Sequence, residues 1–240
     1  MNKTKGQAKF RRILLKFSGE ALGGKQGRGI DTAVIKHIAN EIKPVLALAV
    51  QVGIIIGGGN FFRGREFNSD LDHITVDHMG MMATIINALA MREVFEKTNI
   101  PTEIMSAVQV KGIVDGFDRH KANSLLAENT TVIFTGGTGN PLVTTDTALS
   151  LRGIELGADL LLKATNVDGI YSHNPKTHAE AKLYHHLTYQ EVVAKELQVM
   201  DLAAFCMCRD HHMRLRVFNW QKSGALLRIV LGEEEGTLVE

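Results

Sequence analysis

The sequence of 240 residues predicts an α/β fold whose mostly parallel sheet is covered by helices on both faces. The first observation is a set of short apolar runs, at 13–17, 52–56, 131–134 and 159–163, without the polar alternation of a half-solvated strand. The second is that stretches with helical spacing of apolar residues lie between them. The third concerns the ends of these strands, which enter turns rich in Gly, Ser, Thr or Asn. Open α/β sheets bind ligands outside the carboxyl ends of their strands.

The elements follow in order. Strand 13–17 stops at Ser18-Gly19. Asp31 is placed to cap a helix, with Ile30 and Ile35 as a hydrophobic staple. Val34, Ile35, Ile38, Ile42, Val45 and Leu46 then recur at helical spacing, and Pro44 should kink or shorten that helix. Strand 52–56 runs into Gly57-Gly58-Gly59-Asn60. Residues 76–97 read as a helix rich in Met and Ala. Strand 131–134 enters Thr135-Gly136-Gly137-Thr138-Gly139-Asn140-Pro141, after which Asp146 starts a helix to about 156. Strand 159–163 enters Ala164-Thr165-Asn166-Val167-Asp168-Gly169. Residues 189–197 read as a helix, and 215–218 and 226–231 as late strands.

Composition narrows the class. A 45% hydrophobic and 22% charged chain has ample apolar surface to bury, which excludes overall disorder. A net charge of +1 argues against a protein that coats nucleic acid, which needs a strong basic field. Cys206 and Cys208 cannot build a disulfide framework, which points to a reducing, cytoplasmic setting. No apolar run reaches the ~18 residues of a membrane span, so no membrane partner is expected. Residues 1–12, with Lys3, Lys5, Lys9, Arg11 and Arg12, read as a solvated basic tail, and residues 13–240 as one domain. The pairs His185-His186 and His211-His212 and the triplet Cys206-Met207-Cys208 lack metal-ligand spacing, and no metal site is expected.

Several glycine turns along one sheet edge suit a ligand with several negative groups, and a nucleotide fits. The phosphate loop G-x-x-x-x-G-K-[ST] and a clean G-x-G-x-x-G are both absent. Lys16 and Lys163 each stand near the end of an apolar strand, where an unpaired cation is costly. Together they read as cations flanking a transferred phosphoryl group. Asp146, after Thr144-Thr145, is either a helix N-cap or an acid that orients the two lysines. It need not be a general base, since a phosphate acceptor is already ionised.

Lys16-Phe17-Ser18-Gly19-Glu20-Ala21-Leu22, Ile56-Gly57-Gly58-Gly59-Asn60-x-x-Arg63-Gly64, Asp77-His78-Met79-Gly80-Met81, Gly137-Thr138-Gly139-Asn140-Pro141-x-x-Thr144-Thr145-Asp146 and Lys163-Ala164-Thr165-x-Val167-Asp168-Gly169 occur in this order. So do Val199-Met200-Asp201 and Arg216-Val217-Phe218-Asn219. From about residue 12 to the end, the set resembles the bacterial UMP kinases (uridylate kinases) of the amino-acid kinase superfamily.

The resemblance implies a three-layer α/β/α sandwich and transfer of the γ-phosphoryl of Mg-ATP to UMP, with Lys16, Asp146 and Lys163 carrying the chemistry. It puts the ATP phosphates on Lys16, Phe17, Ser18, Gly19 and Gly59, and the adenosine on Thr165, Asn166, Tyr171 and Asn174. Arg63 would lie between the two phosphate sites. UMP would lie on Gly58, Asp77, Thr138, Gly139, Asn140, Pro141, Leu142, Val143, Thr144 and Thr145. Within that group Asp77 is expected at the ribose, Thr138 to Asn140 at the base and Thr145 at the phosphate. It also implies a homohexamer with GTP and UTP as effectors, GTP through Gly24, Lys25, Gln26, Gly27, Arg28 and Gly29. Mg2+ would enter with ATP. Asn174 departs from the pattern, since many members carry Asp there, and 66–75 matches none. Two other readings stay open: a carboxylate or carbamate kinase, and a non-catalytic nucleotide-binding or storage protein on the same scaffold.

Overall fold

A computed structural model describes residues 7–62, 71–197 and 199–240. In chain order the elements are β1 (Arg12–Phe17), α1 (Gly19–Leu22), α2 (Thr32–Leu46), β2 (Gln51–Ile56), α3 (His73–Lys97), β3 (Thr102–Ser106), β4 (Asp115–Gly116) and α4 (Arg119–Ala127). There follow β5 (Thr131–Thr135), α5 (Thr145–Leu156), β6 (Leu160–Thr165), β7 (Ile170–Tyr171), β8 (Leu183–Tyr184), β9 (His186–Leu187) and α6 (Tyr189–Ala194). The chain closes with α7 (Leu202–Asp210), β10 (Leu215–Asn219), α8 (Ala225–Val230) and β11 (Thr237–Val239).

Nine strands form one sheet in the order β4-β3-β5-β2-β1-β6-β10-β11-β9. Every pairing is parallel except β10 with β11. Both faces of the central strands are covered, which is why β1, β2, β5 and β6 are largely apolar rather than alternating. Ile13, Leu15 and Phe17 of β1 join Val52, Ile54 and Ile56 of β2 in a core closed by α2, α3 and α8. Leu14, Ile55, Val132, Phe134 and Leu161 face the other way, into a core closed by α4, α5, α6 and α7. The result is the three-layer sandwich.

Several local expectations change. The run 226–231 is not a strand: 225–230 form α8, and Ala225, Leu226, Ile229 and Val230 turn its apolar side into the core. Left-handed glycines bracket it, Gly224 at φ 73° and Gly232 at φ 88°, which start and stop a helix cleanly. Helix α2 runs through Pro44 and ends soon after it at Leu46, so the proline shortens the helix rather than breaking it. Asp159 stays outside β6 because its carboxylate accepts from the amides of Arg11 and Arg12, at 2.7 and 2.9 Å. The helix at 189 ends at Ala194. The basic segment is not all solvated tail: Phe10 is buried in the core and Arg12 opens β1.

Helix α3 is long and apolar enough to cross a membrane, yet it packs here against α2, β3 and β5. Its outer side leaves Ile74, Met82 and Ile86 exposed.

Candidate active site

Lys16 of β1 and Lys163 of β6 stand opposite each other in parallel register. The pleat sends alternate side chains to opposite faces, so both lysines point to the side of α5. Asp146 comes from the first turn of α5 and meets both. Its Oδ1 lies 3.0 Å from Lys16 Nζ, and its Oδ2 accepts from Lys163 Nζ at 2.6 Å. The cap of α5 is Thr144, whose hydroxyl accepts from the Asp146 amide at 3.0 Å. Asp146 is therefore not the cap, and its carboxylate is free for the lysines.

Two members are buried, Lys16 keeping 9% and Asp146 7% of their surface, and Lys163 is half-buried. Burial alone would push the Asp146 carboxyl up, but the charges of Lys16 and Lys163 outweigh it and hold the carboxyl below its ordinary value. Burial and the charge of Lys16 hold Lys163 below the ordinary lysine value, against the pull of Asp146. Lys163 also donates to the carbonyl of Val199 at 2.5 Å. Asp201 anchors this corner. It caps α7 through the Ala204 amide at 2.9 Å, and its carboxylate accepts from the hydroxyls of Thr144 and Thr147.

Two clefts flank the triad, one reaching Thr145 beside Asp146 and the other lined by Lys163 itself. The first, of about 210 Å³, is lined by Gly58, Gly59, Asp77, Asn140, Thr144 and Thr145 among others. Asp77 Oδ2 accepts from the Leu142 amide at 2.7 Å, which pins the loop between β5 and α5 across the cleft. Val143 lines the same cleft, while Thr138, Gly139, Pro141 and Leu142 do not; Leu142 is 74% exposed at φ 68°. The second cleft, of about 500 Å³, is lined by Lys163, Thr165, Tyr171 and Asn174 with residues of the 195–199 segment.

Asn166, expected beside them, turns away. Its Oδ1 accepts from the Trp220 indole at 3.1 Å, and it lines a separate hollow with Gly24 and Lys25. Phe17 is likewise a core residue, edge-on to Trp220 with ring centroids 6.0 Å apart. Its main chain alone can face a nucleotide. Ser18 caps α1. A side chain at Gly19 would come within 2.4 Å of the Gly59 amide, so the β1 and β2 turns pack main chain to main chain. Arg63 lies outside the described residues.

Helix α3 supplies contacts that motif reading missed. Asn87, fully buried, donates to the Gly57 carbonyl and to Asn60 Oδ1, both at 2.8 Å. Asn60 returns a bond to Asn87 Oδ1 at 2.8 Å and donates to the Gly29 carbonyl at 2.7 Å. The loop holding Gly27 (φ 65°) and Gly29 (φ 67°) is thus tied to the β2 turn. Thr84 bonds the Gly136 amide at 2.8 Å. Polar residues on the buried side of an otherwise apolar helix are the signal that marks both.

The amino acid kinase family model matches residues 11–219, most of the chain. The chain belongs to the amino acid kinase family. A uridylate kinase from Coxiella burnetii is 56% identical to this kinase over 235 residues, covering 98% of this chain and 97% of the relative. One from Marinobacter nauticus is 53% identical over 238 residues, covering 99% and 98%. The crystal structure of UMP kinase from Bacillus anthracis superposes with a TM-score of 0.93 at 39% identity, covering 96% of each chain. Within the family the kinase groups with the bacterial uridylate kinases.

Proposed function

We propose that this kinase moves the γ-phosphoryl group of ATP onto UMP, giving UDP and ADP, with the reacting phosphate held at the Lys16–Asp146–Lys163 cluster. The observation that carries this is one carboxylate gripping two opposed ammonium groups, with a cleft lined by Lys163 on one side and a cleft lined by Thr145, next to Asp146, on the other. The larger cleft, with Thr165, Tyr171 and Asn174, takes the adenosine. The smaller, with Gly58, Asp77, Asn140 and Thr145, takes UMP. The full-length similarity to uridylate kinases supports UMP over an acidic metabolite as acceptor.

A UMP phosphate oxygen attacks the γ-phosphorus, the bond to the β,γ-bridging oxygen breaks, and ADP leaves. No side chain has to remove a proton, because the attacking oxygen is already ionised. Catalysis is then positioning and charge stabilisation. Lys16 and Lys163 face the oxygens that gain charge. Asp146 keeps the two cations together and aimed. The first turn of α5, with Thr144 and Thr145, presents main-chain amides to the acceptor phosphate. The Ser18-Gly19 and Gly58-Gly59 turns approach the phosphates closely because none of the three glycines carries a side chain.

Mg2+ enters with ATP in this reading. Among the described residues no three of His, Cys, Asp and Glu converge, and both Asp146 oxygens already face lysines. That donor set suits a cation held chiefly by phosphate and water oxygens. When bound it screens the charge between the phosphates.

The kinase is further proposed to work in the cytoplasm as a homohexamer with GTP and UTP as effectors, the former acting through the 24–29 loop. The exposed Ile74, Met82 and Ile86 on one side of α3 support self-association. A coupled assay offering UMP, CMP, AMP and acidic metabolites with Mg-ATP tests the function, and ADP release is expected with UMP. Rapid turnover of CMP but not UMP would refute the substrate, turnover of an acidic metabolite alone would favour the carboxylate reading, and nucleotide binding without turnover the storage reading.

A further inference from the structure

We propose that Thr84 is a positioning residue for the acceptor, acting through the main chain of Gly136. This rests on reading the loop between β5 and α5 as the UMP-binding loop. Thr84 is 2% exposed, and its side chain borders the acceptor cleft. Its hydroxyl donates to the Met81 carbonyl at 2.6 Å, which fixes the rotor. A lone pair is left aimed at the Gly136 amide, which donates to it at 2.8 Å.

Gly136 is where β5 turns into the loop. It adopts φ 71°, and a side chain there would meet Ser106 Oγ at 2.8 Å and the Val108 amide at 2.9 Å. Its own carbonyl accepts from the Gly139 amide at 2.9 Å. Both main-chain polar groups of Gly136 are therefore committed, one to Thr84 and one to the turn. From Gly139 the chain passes to Asn140, whose amide donates to the Thr138 hydroxyl at 3.2 Å. The position of the base-facing residues is inherited from Gly136, and the contact of Gly136 with α3 is Thr84.

Helix α3 grips the same loop a second time, because Asp77 accepts from the Leu142 amide. Residues seven apart lie on one side of a helix. Asp77 and Thr84 thus hold the loop at Leu142 and at Gly136, from two points on α3 about two helical turns apart. The acceptor groove takes its length from α3. A hydroxyl at position 84 is needed because the partner is an N–H: an apolar side chain of the same shape leaves that buried amide unpaired.

The experiment compares Thr84→Val, isosteric without the hydroxyl, with Thr84→Ser, which keeps it, in the full-length enzyme. Thr84→Val should raise KM for UMP roughly tenfold, leave KM for ATP and kcat near wild type, and narrow the preference for UMP over CMP. Thr84→Ser should restore the wild-type values. Hydrogen exchange of the Gly136 amide should speed up in Thr84→Val alone, with the rest of the β5 amides still protected. If Thr84→Val does not fold, Thr84→Ala carries the same readouts. An unchanged KM for UMP, or equal losses for UMP and ATP, would overturn the proposal. Asn140→Ala separates the two levels. If Asn140→Ala raises KM for UMP and Thr84→Val does not, the role of Thr84 fails alone. If neither changes it, the assignment of the loop fails as well.

Discussion

Lys16 and Lys163 face each other in register on adjacent parallel strands, and a single carboxylate separates their charges. Like charges directly opposite on neighbouring strands repel. The two ammonium groups share one directly paired carboxylate, since Asp201 spends its oxygens on the Thr144 and Thr147 hydroxyls, so the pair favours an added anion. In the proposed reaction, the demand created by the sheet register is met by the transferred phosphoryl group.

Removing one cation tests this first. Lys16→Ala should lower kcat by about 10²-fold or more, the scale seen when a donor to developing negative charge is deleted. Steady-state kinetics at saturating UMP and ATP measures it. A wild-type kcat would take Lys16 out of the chemistry.

The alkaline limb of the pH profile tests the second cation. Burial with the charge of Lys16 holds Lys163 below the ordinary lysine value of 10.5. The protonated form is the useful one, so kcat/KM, which reports the free enzyme, should fall as pH rises through that lowered value. Between the folded and unfolded values the unfolded chain binds more protons, so stability should rise with pH across the same window. Lys163→Arg should move the activity limb to higher pH. A wild-type limb at or above the free-lysine value would contradict the assignment.

Asp146→Asn breaks the pair from its centre and leaves two ammonium groups buried side by side. The expected loss of stability is roughly 3–5 kcal/mol, measured by denaturant unfolding. In the wild-type protein the carboxyl is held below its ordinary value of 3.8. Its stabilising contribution is then present in full above the unfolded value and is lost as pH falls through the lower folded one. Asp146→Asn should abolish that part of the acid transition, and an unchanged acid transition would speak against it.

Asp77→Asn should weaken UMP binding more than ATP binding. The amide keeps an oxygen that can accept from the Leu142 N–H, so the loop stays anchored and only the charge is lost. KM values for the two nucleotides decide the matter, and equal losses would remove Asp77 from the acceptor side.

The lysines and Asp146 were legible in the sequence for a physical reason. A lysine closing an apolar strand is anomalous, and two of them call for an anion. The layers were legible because strands buried on both faces cannot alternate. Helix α8 was not, because a short apolar run has no period of its own, and only the positive φ of Gly224 and Gly232 distinguishes helix from strand. The direction of the Asn166 side chain was not legible, because a motif fixes residue order while the orientation of a side chain in a turn depends on its neighbours, here Trp220. Thr84 and Asn87 were hidden in a helix rich in Met and Ala. Their partners, Gly136 and Gly57, lie far along the chain and take part through main-chain atoms, which no residue pattern encodes.

The side-chain amides of Asn60 and Asn87 have no hydrogen left to trade, since each NH2 group serves two acceptors. Such a joint cannot slide by small increments. Either it holds and the loop around Gly29 and the turn after β2 move as one body, or it snaps and both come loose. Traffic between these two stretches of chain should consequently be abrupt, more like a latch than a spring.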